Sequence, residues 1–196
     1  MTKIKICGIT RVEDARFAVE QGADFIGMIF ARESPRFVEP AQAARIRSAI
    51  DGAKVVGVFR DENNGRIREI AKTVGLDFVQ LHGNEIDDDI LEIGVPAIKA
   101  INVGDVLPNT KRHPHAEWLL FDTGGGTGRS FDWSLLALYE RKHPFLLAGG
   151  ITPDNVAAAI SLARPDAIDV ATGVESSPGI KDHKKIEALI ERVRRA

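Results

Sequence analysis

The stretch Gly22-Ala23-Asp24-Phe25-Ile26 recurs with small changes as Gly75-Leu76-Asp77-Phe78-Val79, and Pro165-Asp166-Ala167-Ile168 resembles both. In each copy a turn residue and an aspartate precede a short apolar run, a pattern typical of a loop that leads into a buried strand. The first two copies lie about two strand–helix units apart along the chain. The repeat therefore predicts a fold assembled from similar strand–helix units.

Eight short runs of β-branched and apolar residues fit this pattern, and each is followed by a helical pattern or a long connection. The predicted strands are 3–7, 25–30, 54–59, 78–81, 97–100, 118–122, 145–148 and 167–171. Eight units in 196 residues leave about 24 residues each, which suits a short strand, a short helix and two loops. We expect one domain over residues 1–196, a compact (β/α)8 barrel, with an open doubly wound sheet as the alternative.

Local signals indicate where helices begin and where they fail. Thr10-Arg11-Val12-Glu13 matches a capping box, and Thr152-Pro153 matches an N-cap followed by a proline in the first turn. Two prolines in the connection 102–116 predict that the helix after the fifth strand is short or missing. The glycine cluster at 123–128 predicts a lid over the barrel mouth.

Composition excludes several classes of protein. The 26 Lys and Arg residues nearly balance the 28 Asp and Glu residues, so a basic nucleic-acid footprint is absent. One cysteine allows neither a disulfide framework nor a thiolate zinc cluster. The apolar runs are too short for a membrane span, and the first residues show no secretory signal. We expect a cytoplasmic protein without nucleic-acid or membrane partners, and its oligomeric state is open.

Two strand ends carry glycines that suit an anion. Active sites of (β/α)8 barrels lie at the carboxyl ends of the strands. Gly149-Gly150 after strand seven and Thr172-Gly173 after strand eight predict a phosphate site, because bare backbone N–H groups can approach the anion closely. Turn glycines without a ligand are the alternative. Neither a nucleotide-binding glycine motif nor a helical zinc motif is present, so we expect no nucleotide cofactor and no metal.

Cys7 and Asp122 end strands one and six, where they are candidates for proton transfer. Cys7 shares its strand face with Lys5, whose ammonium would favour a thiolate base. Asp122 follows an apolar run, which would raise its pKa and suit a general acid. An inert buried cysteine and a capping carboxylate are the alternatives.

Three more polar side chains near strand ends are candidate substrate contacts. Arg36, in Ser34-Pro35-Arg36-Phe37, carries a planar fork that matches a carboxylate. His82 and Asp169 could contact substrate as well, or could serve as a structural histidine and as part of a buried charge network with Lys5 and Lys99.

Several motifs occur in a characteristic order from residue 3 to about residue 193. They are Lys5-Ile6-Cys7-Gly8-Ile9-Thr10, Ser34-Pro35-Arg36-Phe37, Gln80-Leu81-His82-Gly83, Gly125-Gly126-Thr127-Gly128, Gly149-Gly150-Ile151 and Asp169-Val170-Ala171-Thr172-Gly173-Val174-Glu175. Together they resemble the signature of the phosphoribosylanthranilate isomerase family.

That resemblance implies a (β/α)8 barrel isomerase of tryptophan biosynthesis that needs no cofactor. Its substrate would be the phosphosugar N-(5-phosphoribosyl)anthranilate, rearranged to 1-(2-carboxyphenylamino)-1-deoxyribulose 5-phosphate. The family's general base matches Cys7, its general acid matches Asp122 and its carboxylate-binding arginine matches Arg36. Its phosphate loops match Gly149-Gly150 and Thr172-Gly173.

Three rival functions stay open from the sequence. One is another phosphosugar enzyme on the same barrel, such as a histidine-pathway isomerase, but those families lack a cysteine base on strand one. A second is a binding protein that keeps the phosphate loops without turnover. The third is a thiol redox sensor built on Cys7, for which the chain offers no second cysteine.

Overall fold

Eight parallel strands form a closed barrel in the computed structural model, which describes residues 1–104, 112–123 and 131–196. The strands are β1 (Lys3–Ile6), β2 (Phe25–Ile29), β3 (Lys54–Phe59), β4 (Phe78–Leu81), β5 (Ala97–Asn102), β6 (Trp118–Asp122), β7 (Phe145–Leu147) and β8 (Ala167–Val170). Each strand pairs with the next in sequence, and β8 closes the ring against β1, where Lys5 lies opposite Asp169. The predicted barrel is confirmed, and the open sheet is excluded.

Helices surround the barrel but do not follow every strand. The α-helices are α1 (Val12–Gln21), α2 (Pro40–Ser48), α3 (Asn64–Val74), α4 (Asp87–Ile93), α5 (Val156–Ala163) and α6 (His183–Arg195). Between β5 and β6, the described residues 103–104 and 112–117 contain no α-helix, and a 3-10 helix (Trp133–Leu138) follows β6. The described part of the connection after β5 agrees with the predicted short or missing helix. The predicted glycine lid lies, from Gly124 onward, outside the described residues.

Buried side chains pack on both sides of the sheet. The smaller cluster fills the barrel interior and consists of Phe25, Val56, Ile98, Leu120, Leu146, Ala148 and Ala167. The larger cluster lies between the strands and the helices. Helix α6 contributes the residues that helical spacing places on one face, which are Ile186, Leu189, Ile190 and Val193. Burial of each such side chain contributes about 1.5–3 kcal/mol. Among the helices of the described residues, none has the length and apolarity needed to cross a membrane.

Two predicted helix starts are wrong. Arg11 is the N-cap of α1, and Thr10 instead donates its hydroxyl to the carbonyl of Gly179 at 2.5 Å. Asn155 is the N-cap of α5, and its side-chain oxygen accepts the N–H of Thr152 at 2.8 Å. A tertiary contact thus replaces the local cap at Thr10, whereas at Thr152 the local turn places the cap three residues further along the chain.

A short hairpin lies between β8 and α6. A 3-10 turn (Thr172–Val174) leads into β9 (Glu175–Ser177), which pairs antiparallel with β10 (Ile180–Lys181). The hairpin brings two charged side chains, Glu175 and Lys181, behind the carboxyl ends of β1 and β8.

Candidate active site

A cavity of about 320 Å³ opens at the carboxyl ends of the barrel strands. Eight of the predicted site residues line it: Cys7, Arg36, His82, Asp122, Gly149, Gly150, Asp169 and Thr172. Gly173 does not line the cavity but packs against Ile151. A Cβ at residue 173 would overlap the carbonyl oxygen of Ile151. The end of the barrel that normally carries the active site thus brings the predicted residues together. Their individual roles stay predictions.

The glycine loops after β7 and β8 form one end of the cavity. Gly149 and Gly150 have φ values of 83° and 66°, which residues with a Cβ rarely adopt. Asn155 holds this turn by donating its amide N–H to the Gly150 carbonyl at 2.8 Å. Within the described residues, the backbone N–H groups of Gly149 and Gly150 donate to no protein acceptor. These groups are therefore free to bind an anion in the cavity.

Cys7 lies directly after β1, with only 5% of the residue exposed. A Cβ at Gly27 on the neighbouring strand would lie 2.8 Å from the Cys7 sulfur and 3.1 Å from the Lys5 ammonium nitrogen. The missing side chain at Gly27 thus makes room for both groups. Lys5 Nζ is 2.9 Å from Asp169 Oδ1, so a buried ion pair borders the thiol.

Asp122 ends β6 and faces the ring of His82. Its Oδ1 accepts the N–H of Thr123 at 2.7 Å, and its Oδ2 lies 3.4 Å from His82 Nε2. The side-chain amide nitrogen of Gln80 lies 3.1 Å from His82 Nδ1. Nε2 is the ring nitrogen that faces Asp122.

Arg36 is held by a carboxylate of the protein itself. Its Nε and Nη2 donate to the two oxygens of Glu175 at 2.8 and 2.7 Å. Glu175 therefore occupies one edge of the guanidinium, and the role of Arg36 as a substrate contact stays a prediction. A guanidinium has five N–H donors, so the edge formed by Nη1 and the second Nη2 proton is left for the cavity.

The acidic and imidazole side chains do not cluster as metal ligands do. Among the described residues, no group of three or more His, Cys, Asp or Glu side chains has an arrangement that could hold a metal ion.

Comparison with known proteins identifies the family of this chain. Residues 4–192 match the family model described as N-(5'-phosphoribosyl)anthranilate (PRA) isomerase. The chain is 46% identical to the N-(5'-phosphoribosyl)anthranilate isomerase of Pseudomonas fluorescens over an alignment of 201 positions. The alignment covers 98% of this chain and 95% of that protein. The chain belongs to the PRA isomerase family.

Solved structures of PRA isomerases share the fold over the whole chain. The phosphoribosyl anthranilate isomerase of Thermus thermophilus superposes with a TM-score of 0.93 at 36% identity, covering 99% of both chains. A second one, in complex with reduced 1-(o-carboxyphenylamino)-1-deoxyribulose 5-phosphate, superposes with a TM-score of 0.91 at 38% identity over 100% of both chains.

Burial opposes ionisation of the candidate base, Cys7. Desolvation raises the pKa of the Cys7 thiol, although the charges of Lys5 and Lys181 oppose it. Burial also lowers the pKa of Lys5, but the interactions with Asp169 and Cys7 together outweigh it and leave that pKa above the ordinary value. Lys5 thus favours the thiolate, as expected from the sequence, but burial of the thiol is the larger influence and leaves the Cys7 pKa above its ordinary value.

Glu175 and Lys181 lie behind the cavity, and the sequence prediction assigned a role to neither. Lys181 Nζ donates to the Cys7 carbonyl at 2.6 Å, to the Ala171 carbonyl at 3.1 Å and to Glu175 Oε1 at 2.9 Å. Burial raises the pKa of Glu175, but hydrogen bonds and charge from Arg36 and Lys181 more than offset it and lower that pKa overall. The available signal was weak: Glu175 closes the motif after strand eight, but nothing in its spacing indicates burial.

Proposed function

We propose that this chain catalyses the rearrangement of N-(5'-phosphoribosyl)anthranilate to 1-(2-carboxyphenylamino)-1-deoxyribulose 5-phosphate, a step of tryptophan biosynthesis. Membership of the PRA isomerase family supports the reaction, and the ligand named for one related structure supports the product's chemistry. For this chain the proposal rests on one observation: Cys7, Asp122, Arg36 and the glycine loops line the same cavity.

The cavity suits a substrate with an anion at each end. The N–H groups of Gly149 and Gly150 would bind the phosphate, and the open edge of Arg36 would bind the carboxylate of the aromatic ring. Anchoring both ends leaves the sugar between Cys7 and Asp122. Such orientation removes much of the entropic cost of the reaction.

Asp122 would start the reaction by donating its proton to the ring oxygen of the ribose. The C1–O bond then breaks, and the nitrogen lone pair forms a cationic imine at C1. Cys7 would remove the proton from C2, and the electrons of that C–H bond neutralise the imine to give an enolamine. Because the imine cation acidifies the C2–H bond and favours a thiolate nearby, the acid step precedes the base step.

The enolamine then gains a proton at C1 while its 2-hydroxyl loses one, which yields the ketone. C1 and C2 exchange oxidation level within one molecule, so the reaction needs no external oxidant or reductant. Each positioned proton transfer supplies about 10²–10⁴-fold in rate. When its Nε2 carries a proton, His82 can hold the Asp122 carboxylate after Asp122 has given up its own proton.

Steady-state turnover tests this function directly. The substrate, which is fluorescent, is generated in situ and its loss of fluorescence is followed with and without the protein. We expect a loss rate proportional to protein concentration. A protein that folds normally and leaves the fluorescence unchanged would contradict the proposed function.

A further inference from the structure

A buried chain of ionic contacts joins the candidate base to the candidate carboxylate-binding arginine. It runs from Arg36 to Glu175 and on to Lys181, whose ammonium reaches the backbone carbonyl of Cys7. The side chains of Glu175 and Lys181 are 6% and 0% exposed, and neither lines the cavity. The two groups therefore act on a ligand in the cavity through residues that they hold, which include Arg36 and Cys7.

Glu175 fixes the orientation of the Arg36 guanidinium. Two short, parallel hydrogen bonds to one carboxylate define both the plane and the direction of the fork. The same oxygen that accepts from Arg36 Nε also accepts from Lys181, and the backbone N–H of Gly179 donates to it at 3.2 Å. Glu175 is thus held from three sides and provides a rigid support for the edge of Arg36 that faces the cavity.

Lys181 fixes the other end of the chain. Its ammonium donates to the carbonyl of Cys7, after β1, and to that of Ala171, after β8. All three protons of the ammonium are then used by two carbonyls and Glu175. The position of the Cys7 backbone is therefore tied to the position of the Glu175 carboxylate.

We infer that Glu175 is a positioning residue that sets the distance and angle between a carboxylate bound by Arg36 and the thiol of Cys7, with Lys181 as its link to the Cys7 backbone. This rests on the proposed function, in which Arg36 binds one end of the substrate and Cys7 acts near its middle. A residue that only strengthened carboxylate binding would change KM. One that also sets the geometry of proton removal changes kcat as well.

The first test uses Glu175→Gln, which keeps the size of the side chain and removes the charge. Arg36 and Lys181 are then two neighbouring cations without a shared anion, so the guanidinium loses its orientation. We expect KM to rise about tenfold and kcat to fall at least about tenfold. Asp77→Asn is the matched control, because Asp77 pairs with Lys54 at the opposite end of the barrel and should leave both constants within about twofold.

A binding measurement separates positioning from general loss of structure. The probes are reduced 1-(o-carboxyphenylamino)-1-deoxyribulose 5-phosphate and the same compound without its carboxylate. The wild-type protein should bind the first much more tightly than the second. In Glu175→Gln this preference should shrink at least about tenfold while affinity for the second probe is kept. An unchanged preference, or equal weakening of both probes, would overturn the inference.

Two further variants keep the inference testable and separate from the proposed function. Lys181→Met leaves the Arg36–Glu175 pair, so it should keep the carboxylate preference but lower kcat; a wild-type kcat there would overturn the link to Cys7. The double variant Glu175→Gln/Lys181→Met avoids the two unshared cations and should lose the preference even if the single variant fails to fold. Because binding needs no turnover, a wild-type protein that binds both probes as expected but does not convert substrate refutes the proposed function alone.

Discussion

Lys5 Nζ lies 2.9 Å from Asp169 Oδ1 across the β1–β8 pairing, and the ammonium of this ion pair borders the Cys7 thiol. The closeness depends on Gly27, which leaves the space that both side chains occupy. A buried cation beside a thiol lowers the cost of forming a thiolate, while the burial itself raises that cost. The ion pair therefore influences the ionisation of the Cys7 thiol, although Lys5 itself does not line the cavity.

Replacement of Lys5 by Met should move the rising limb of the kcat/KM profile to higher pH by about one unit or more. Cys7 must lose its proton to act as a base. Burial already raises the pKa of its thiol, and the Lys5 charge is the largest opposing influence. Without that charge the thiol pKa rises further, so activity falls at neutral pH and recovers at alkaline pH.

Two variants control for the Lys5 prediction. Lys3 lies on the same strand as Lys5 but is exposed, so the pH profile of Lys3→Met should match that of the wild type. Lys5→Met/Asp169→Asn leaves no unpaired buried charge, and its rising limb should lie between those of the wild type and Lys5→Met, because Asp169 itself raises the thiol pKa. A limb at the wild-type position in both Lys5 variants would show that Lys5 does not act on Cys7.

Substitution of Cys7 by Ser should lower kcat about 10²–10⁴-fold and leave KM within about threefold. A serine hydroxyl has nearly the same size but ionises far less readily than a thiol, so the base is lost while the cavity keeps its shape. Steady-state fluorescence gives both constants, and thermal unfolding checks the fold. Near-wild-type turnover in this variant would remove Cys7 from the mechanism.

Barrel topology was readable from the sequence because parallel strands buried on both sides appear as short apolar runs, such as those that begin at Phe25 and Phe78. The rule that sites lie at strand ends then identified Cys7 and Asp122 without any knowledge of contacts. The local cap at Thr10 was misread because its hydroxyl binds Gly179, which is 169 residues away in the chain. Such a contact leaves no local signal.

The support behind the site was unpredictable for the same reason. Arg36 and Glu175 are separated by 139 residues, and they meet only because the barrel closes and the hairpin after β8 folds behind the cavity. The sequence therefore indicated a fork that suits a carboxylate at Arg36, but not that Glu175 binds one edge of it. It also indicated the lysine that favours the Cys7 thiolate, but not the extent of burial, which raises the pKa of that thiol.

Asp122→Asn should lower kcat about 10²–10⁴-fold with little change in KM. The asparagine oxygen can still accept the N–H of Thr123, so the end of β6 keeps its shape while the transferable proton is lost. A variant that retained the wild-type kcat would assign the acid to another group.

Gly173→Ala should weaken the anion end of the site more than the chemistry. A Cβ at this position overlaps the Ile151 carbonyl, so the loop after β8 must move away from the loop that carries Gly149 and Gly150. We expect KM for the phosphosugar and the inhibition constant for inorganic phosphate to rise together, each about tenfold, with kcat changed less. Gly104→Ala is the matched control, since a Cβ there meets no atom within 4 Å. If phosphate inhibited Gly173→Ala as strongly as it inhibits the control, the anion would have to bind away from these two loops.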